Sequence, residues 1–154
     1  MSNQFKEADN IDGILRQIAR TREELSRLTS GQQDPEIALT ALSLETYLVN
    51  KTMLSLREHL LLSLSWSDCR TAENQWALDV LLFAISTTLY NITQQLDIYE
   101  HGRSSKSSFR FLSREKPKAK MTELQTSLDR LREQNSVFQC IMNHFETYVF
   151  LANI

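Results

Sequence analysis

The stretch MTELQTSLDRLREQNSVFQCIMNHFETYV, residues 121–149, has the most regular apolar pattern in this chain. Its pattern positions recur in steps of three and four and include one polar residue: Met121, Leu124, Leu128, Leu131, Asn135, Phe138, Met142, Phe145 and Val149. This spacing lines up all of these side chains along one side of an α-helix, as an a/d seam that packs against other helices. It predicts a long helix over residues 118–151, and Pro117 is well suited to its start.

Two further stretches have the same helical period. The first consists of Ile11, Ile14, Ile18, Thr21, Leu25 and Leu28, and it predicts a helix over residues 10–30 that Gly31 ends. The other consists of Leu78, Leu82, Ile85, Leu89, Ile92, Leu96 and Tyr99, and it predicts a helix over residues 69–101 that Gly102 ends. Trp76, Val80 and Phe83 add a second apolar edge to this helix, which predicts that it packs between two others.

A fourth helix is predicted over residues 35–63. Asp34, Pro35 and Glu36 supply an N-cap, a proline at the first helical position and an acidic first turn. One face is marked by Ile37, Ala41, Leu44, Leu48, Leu56 and Leu60. Further apolar residues, Val49, Met53, Leu54, Leu61 and Leu64, widen this arc, so the helix is predicted to touch neighbours on more than one side.

The length and composition agree with a helical domain. The 154 residues suffice for one domain, residues 1–154, and 42% of them are hydrophobic. Three glycines and two prolines are too few for the turns of a sandwich, a barrel or a doubly wound sheet. The sequence therefore predicts an all-α, antiparallel up-down four-helix bundle with crossing angles of about 20°.

The connection between the last two helices, residues 102–117, is the strongest local charge feature. Residues 101–120 carry a net charge of +6, whereas the rest of the chain carries a net charge of −8. We call residues 103–120 the basic strip. Its cations and aromatic residues are candidates for contact with an anion, a lipid or a partner: Arg103, Lys106, Phe109, Arg110, Phe111, Arg114, Lys116, Lys118 and Lys120. In the alternative, the strip is a solvated loop whose phenylalanines plug the end of the bundle.

Asn135 interrupts the apolar seam of the last helix. A buried amide in such a seam costs stability and favours the one register in which it is satisfied. Slight exposure at the edge of the bundle is the alternative, because the heptad phase alone does not reveal depth.

The sequence contains no signature of catalysis. We find no G-x-S-x-G, Walker A, G-x-G-x-x-G or H-E-x-x-H motif, so we expect neither an enzyme nor a cofactor or small-molecule substrate. Cys140 and His144 lie one helical turn apart, but two ligands do not make a zinc site, so no metal is expected. A net charge of −2 argues against nucleic-acid binding.

The same features predict a cytoplasmic protein. Cys69 and Cys140 are too few for a disulfide framework, and the N-terminus lacks the features of a secretory signal. The longest apolar runs are much shorter than the ~20 residues of a membrane span. The basic strip leaves peripheral attachment to an anionic membrane open as an alternative.

The segment FRFLSREKPKAKMTELQTSLDRLREQNSVFQCIMNHF, residues 109–145, resembles the closing segment of the helical N-terminal domains of fungal STAND proteins, the NOD-like receptors. In that family an aromatic and basic strip leads into a helix with an ELxxxLxRLR run. The matching residues here are Phe109, Phe111, Glu123, Leu124, Leu128, Arg130, Leu131 and Arg132. The resemblance implies an all-helical, HeLo-like module without an active site, which signals in self/non-self recognition or cell death. The polar residues 1–30 depart from the apolar first helix of many members.

Two functions are therefore expected as alternatives. The first is a protein-interaction or oligomerisation module of a fungal receptor-like protein. The second is a stand-alone cytosolic bundle that binds anionic lipid or phosphate through the basic strip. The apolar end FETYVFLANI, which lacks a Gly or basic C-cap, is typical of a chain that continues, and this favours the first function.

Overall fold

The computed structural model describes residues 3–30, 36–62, 72–104 and 116–152, and the side chains of residues 10–30, 36–59, 76–101 and 121–144. Four helices account for nearly all of them: α1 (Asn3–Thr29), α2 (Ile37–Leu62), α3 (Ala72–Ser104) and α4 (Lys116–Ala152). No strand occurs among the described residues. The prediction of an all-α four-helix bundle is confirmed.

The helix ends differ from the predicted ones at several points. Helix α1 begins at Asn3, before the apolar stripe, because residues 4–8 include good helix formers that need no buried face to extend a helix. Helix α3 continues through Gly102 to Ser104, so Gly102 does not end it. A glycine costs a helix only about 1 kcal/mol relative to alanine and does not by itself stop it. The predicted loop 102–117 is therefore helical at both ends, and residues 105–115 lie outside the described residues.

Helix α2 begins after Glu36 rather than at Pro35. The backbone carbonyl of Glu36 accepts the first helical hydrogen bonds from the amides of Leu39 and Thr40, at 3.0 and 3.2 Å. This pattern identifies Glu36 as the N-cap residue. The predicted cap, Asp34, lies outside the described residues. At the same end of the bundle, the Tyr99 hydroxyl of α3 donates to Glu36 Oε1 at 3.3 Å.

Contacts between side chains give the helix directions. Helix α2 runs antiparallel to α1, because Arg57 Nε lies 2.8 Å from Asp12 Oδ1 while Arg22 stacks over the Tyr47 ring. The N–H of Arg57 is poorly aligned with that carboxylate, so the contact is an ion pair rather than a hydrogen bond.

Helix α3 runs parallel to α1. Three contacts join residues whose numbers rise in the same order along both helices: Gln17 with Ser86, Thr21 with Thr93, and Arg27 with Glu100.

Helix α4 runs antiparallel to α3. The Ser127 hydroxyl donates to Gln95 Oε1, which fixes the two helices at one level. Phe138 lies three turns further along α4 and is fully buried. A parallel α4 would carry Phe138 past the end of α3, which extends only about two and a half turns beyond Gln95.

The four helices stand at the corners of a square in a particular order. Helix α1 packs against α2 and α3, and α4 packs against the same two helices. Helices α2 and α3 therefore face each other across the diagonal, although they are consecutive in the chain. Each helix has one face turned to the core, two flanks against neighbours and an outer face.

The buried core confirms three of the four predicted stripes. The α1 and α3 stripes and the described part of the α4 seam are buried or nearly so. The predicted face of α2 is wrong at Ile37 and Leu44, which are 87% and 59% exposed. Its member Leu56 and the predicted widening residues Val49 and Met53 are fully buried. The α2 residues that face the core are Leu39, Leu42, Thr46, Val49, Met53 and Leu56. Each fully buried aliphatic side chain contributes roughly 1.5–3 kcal/mol relative to an exposed one.

Buried threonines do not disturb this core. Thr21, Thr46, Thr52 and Thr88 each donate their hydroxyl to a backbone carbonyl three or four residues earlier in the same helix. Their polar groups are therefore satisfied inside the helix, and their methyl groups pack as small apolar groups.

Candidate interaction surface

Helix α3 has a second, largely apolar and uncharged stripe on the side opposite the core. We call it the α3 outer face, and its members are Trp76, Val80, Phe83, Thr87, Tyr90, Gln94 and Ile98. They follow one another in steps of three and four, about half a helical turn away from the buried stripe that begins at Leu78. All seven are exposed.

The aromatic side chains of this face are the most exposed large hydrophobic groups on α3. Trp76 is 69% exposed, Phe83 is 74% exposed and Tyr90 is 58% exposed. Helix α3 packs between two others, α1 and α4, as predicted, but Trp76, Val80 and Phe83 take no part in these contacts and are exposed. The corners of the bundle give α3 two neighbours, and both contact its flanks rather than its outer face. Exposed apolar patches on protein surfaces often coincide with interaction sites, so this row of aromatic residues is a candidate for one.

The central part of α3 carries no charge. Residues 80–96 contain no Asp, Glu, Lys or Arg, and the nearest charged side chains are Asp79 and Asp97. Among the described residues, the stretch Trp76–His101 is long enough to cross a membrane, and its most apolar window of 18 residues has a mean hydropathy of 1.3. About a third of that window is buried in the bundle, and the core helix of a soluble protein passes the same test.

Helix α2 has a comparable but interrupted surface. Its outer face consists of Ile37, Thr40, Leu44, Tyr47, Lys51, Leu54 and Glu58. Two charged residues break the apolar row, and cations cover its aromatic residue: Lys51 Nζ lies 5.1 Å and Arg22 Cζ 5.5 Å from the centre of the Tyr47 ring. Such cation–π contacts bring charge and water to the ring.

Electrostatic contacts fix the flank of α3 against α1. Arg27 donates two hydrogen bonds to the Glu100 carboxylate, at 2.6 and 2.8 Å. Partial burial raises the pKa of Glu24 on the same flank, the Asp97 carboxylate raises it further, and Arg27 opposes the shift. Among the described residues, α1 and α4 occupy the two flanks of α3, and none of the other three helices packs on its outer face.

Asn135 is buried, with only 4% of its surface exposed, as the seam prediction expects. Its Oδ1 atom has no hydrogen-bond partner among the described residues, and neither does Gln134 Oε1 one residue earlier. An unpaired buried amide oxygen costs roughly 1–3 kcal/mol. Whether Asn135 selects one packing register stays a prediction.

The basic strip falls mostly outside the described part of the chain. Arg103 lies in the last turn of α3, and Lys116, Lys118 and Lys120 lie in the first turns of α4, where only the backbone is described. The other candidate residues, Lys106, Phe109, Arg110, Phe111 and Arg114, lie outside the described residues. Binding by this strip stays a prediction.

Cys140 and His144 are exposed on α4. No group of three or more His, Cys, Asp or Glu residues is placed to hold a metal ion within the described part of the chain.

Of the α3 outer face, only Trp76, Val80 and Phe83 were predicted from the sequence as an apolar edge. Tyr90 and Ile98 continue this edge. Their helical spacing from Phe83 and the absence of charged residues between them were the sequence features that could have predicted it.

Comparison with protein-family models, with curated proteins and with solved structures finds no match for this chain.

Proposed function

We propose that this domain is a non-enzymatic protein-interaction module that binds a helical partner through the α3 outer face. The observation that carries the proposal is the exposed, uncharged row from Trp76 to Ile98 on the side of α3 that no other helix covers. Burying an exposed aromatic or aliphatic side chain in an interface is favourable by about 25 cal/mol for each Å² removed from water.

The shape of the face favours a helix as the partner. From Trp76 to Ile98 the row is about 33 Å long and one side chain wide. A second helix with the same period can align with such a row over its whole length, with side chains interdigitating as in a coiled coil. Trp and Tyr are also the residue types that most often dominate binding energy at protein interfaces.

The resemblance of residues 109–145 to fungal STAND proteins supports a specific setting for this activity. In that setting the bundle is the N-terminal signalling domain of a NOD-like receptor, and binding at the α3 outer face is part of signalling in self/non-self recognition or cell death. The protein would act in the cytoplasm. Lipid binding by the basic strip remains the alternative predicted from the sequence.

Site-specific photo-crosslinking in the source cells tests the proposal. A photoreactive phenylalanine analogue replaces Phe83 in the full-length protein, and the same analogue replaces Leu54 on the α2 outer face as a matched control. We expect one protein adduct of defined mass from position 83 and much less from position 54. Equal labelling from the two positions, or adducts with lipid alone from position 83, would overturn the proposal.

A further inference from the structure

We infer that the partner of the α3 outer face is a second copy of this chain, whose own α3 packs antiparallel to the first about a two-fold axis near Thr87. This inference rests on the proposed function and names the partner for it. Three properties of the face support a self-complementary contact: its charge, its spacing and its area.

The centre of the face can meet itself without bringing like charges together. A two-fold contact brings each surface against an identical one, so any charge in its centre would oppose a like charge. The α3 outer face has no charged member, and the whole segment from residue 80 to residue 96 is uncharged. The α2 outer face, with Lys51 and Glu58, lacks this property.

The spacing of the side chains is nearly symmetric about Thr87. Trp76 and Ile98 lie at equal distances on either side of it, as do Val80 and Gln94. In an antiparallel pair, Trp76 of one copy would therefore meet Ile98 of the other, and Val80 would meet Gln94.

The two aromatic residues nearest the centre fit the same arrangement. Phe83 and Tyr90 would lie side by side across the axis, and only the small Thr87 would face its own copy. In a parallel pair each aromatic ring would meet the same ring of the other copy, with a gap at Thr87. The antiparallel arrangement alternates large and small groups and packs better.

The available area fits a weak and reversible dimer. About two thirds of each of the three aromatic side chains is exposed, which gives on the order of 400 Å² per copy, since such a side chain offers roughly 150–250 Å². Val80 and Ile98 bring this to about 500 Å² per copy. The total of about 1,000 Å² is at the lower limit for a specific interface.

Sedimentation equilibrium between roughly 5 and 500 μM tests the inference, since this range suits a weak interface. We expect reversible dimers of the wild-type chain. Phe83→Lys should raise the dissociation constant at least tenfold, whereas Leu54→Lys, the matched change on α2, should alter it less than twofold. Circular dichroism confirms that both variants fold. A wild-type chain that stays monomeric throughout, or equal effects of the two variants, would overturn the inference.

Disulfide trapping tests the geometry independently of any loss of binding. In a Cys69→Ser, Cys140→Ser background, Thr87→Cys should form a disulfide-linked dimer, and Thr40→Cys on the α2 outer face should not. Val80→Cys alone should stay monomeric but should link to Gln94→Cys when the two are mixed. Homodimers of Val80→Cys would contradict the antiparallel arrangement, and absence of any Thr87→Cys dimer would contradict the two-fold axis.

These results separate the inference from the proposed function. A monomeric chain together with a position-83 adduct to a different protein would overturn self-association and leave the interaction module intact. Loss of both the dimer and the position-83 adduct would overturn both.

Discussion

Helices α2 and α3 lie at diagonally opposite corners of the bundle, and each turns an outer face with several apolar side chains to solvent. On α2 the row is divided by Lys51 and ends near Glu58, and two cations lie over Tyr47. On α3 the row runs without a charge from Val80 to Gln94. The two faces therefore differ in how their apolar groups are arranged more than in how many there are.

This difference distinguishes two situations in which an apolar side chain is exposed on the surface of a helix. Single hydrophobic side chains among charges are ordinary on a protein surface and need no partner. A long, uncharged and largely apolar row is costly to leave in water, and such rows often belong to interaction sites. The α3 outer face belongs to the second class, and we expect its residues to matter for binding and hardly at all for folding.

The largest expected effect contrasts the two faces of α3 at adjacent positions. Leu89 is fully buried and Tyr90 is mostly exposed. Leu89→Ala should lower the free energy of unfolding by about 2–5 kcal/mol, because it leaves a cavity in the core. Tyr90→Ala should change it by less than about 0.5 kcal/mol. Urea unfolding of dilute protein measures both, and similar losses would mean that the outer face is also packed.

The next largest effect on the free energy of unfolding concerns the buried seam of α4, which takes no part in either outer face. Asn135→Leu should raise the free energy of unfolding by roughly 1–3 kcal/mol, because it removes a buried amide oxygen without a partner. Ser136→Leu, on the exposed side of the same helix, is the control and should have little effect. Lower stability of Asn135→Leu would indicate that the amide has a partner, such as a bound water.

A smaller effect is expected if charged residues are what prevents the α2 outer face from self-associating. Lys51→Leu would join Leu44 and Leu54 into a longer apolar row and remove one cation from Tyr47. We expect this variant to self-associate even when Phe83→Lys blocks the α3 outer face. Dynamic light scattering of the double variant measures this, and a monodisperse monomer would show that the α2 row is harmless for another reason.

The smallest effect lies on the flank between α1 and α3. Burial and Asp97 raise the pKa of Glu24, so the folded state holds this proton more tightly than the unfolded state does. Deprotonation therefore weakens the fold above the folded-state pKa, and stability rises as the pH falls toward the ordinary glutamate value of about 4.3. Glu24→Gln should be slightly more stable than wild type at pH 7 and equal to it near pH 4.

Thermal unfolding across this pH range tests the expectation for Glu24. Glu23→Gln removes the same charge from the neighbouring exposed position and serves as control. An equal gain from both variants would point to general charge repulsion rather than to the site of Glu24.

The inner stripes of α1, α3 and α4 could be predicted from sequence because in each of them the core positions keep a clear period. The buried side of α2 could not be predicted, because its apolar residues surround most of the helix. Ile37, Ala41 and Leu44 fit one stripe as well as Leu39, Leu42 and Val49 fit another. Periodicity then indicates a helix without indicating which side is buried.

The candidate site was harder to predict for a related reason. A second apolar edge on α3 can contact another helix of the same bundle or remain outside it, and the sequence does not reveal how many neighbours a helix has. The order of the corners decides this. Because α3 packs against α1 and α4 and faces α2 across the core, the side that carries Trp76 and Phe83 is left outside.

The exposure of Trp76 in solution decides whether the α3 outer face is open in the monomer and covered in the dimer. In a Trp66→Phe background, Trp76 is the only tryptophan, and acrylamide quenching of its fluorescence reports access to the α3 outer face. We predict strong quenching in dilute protein and progressive protection as concentration rises, with no protection in Phe83→Lys at any concentration. Weak quenching already in dilute, monomeric protein would mean that another part of the chain covers this face, so that it is not available to a partner.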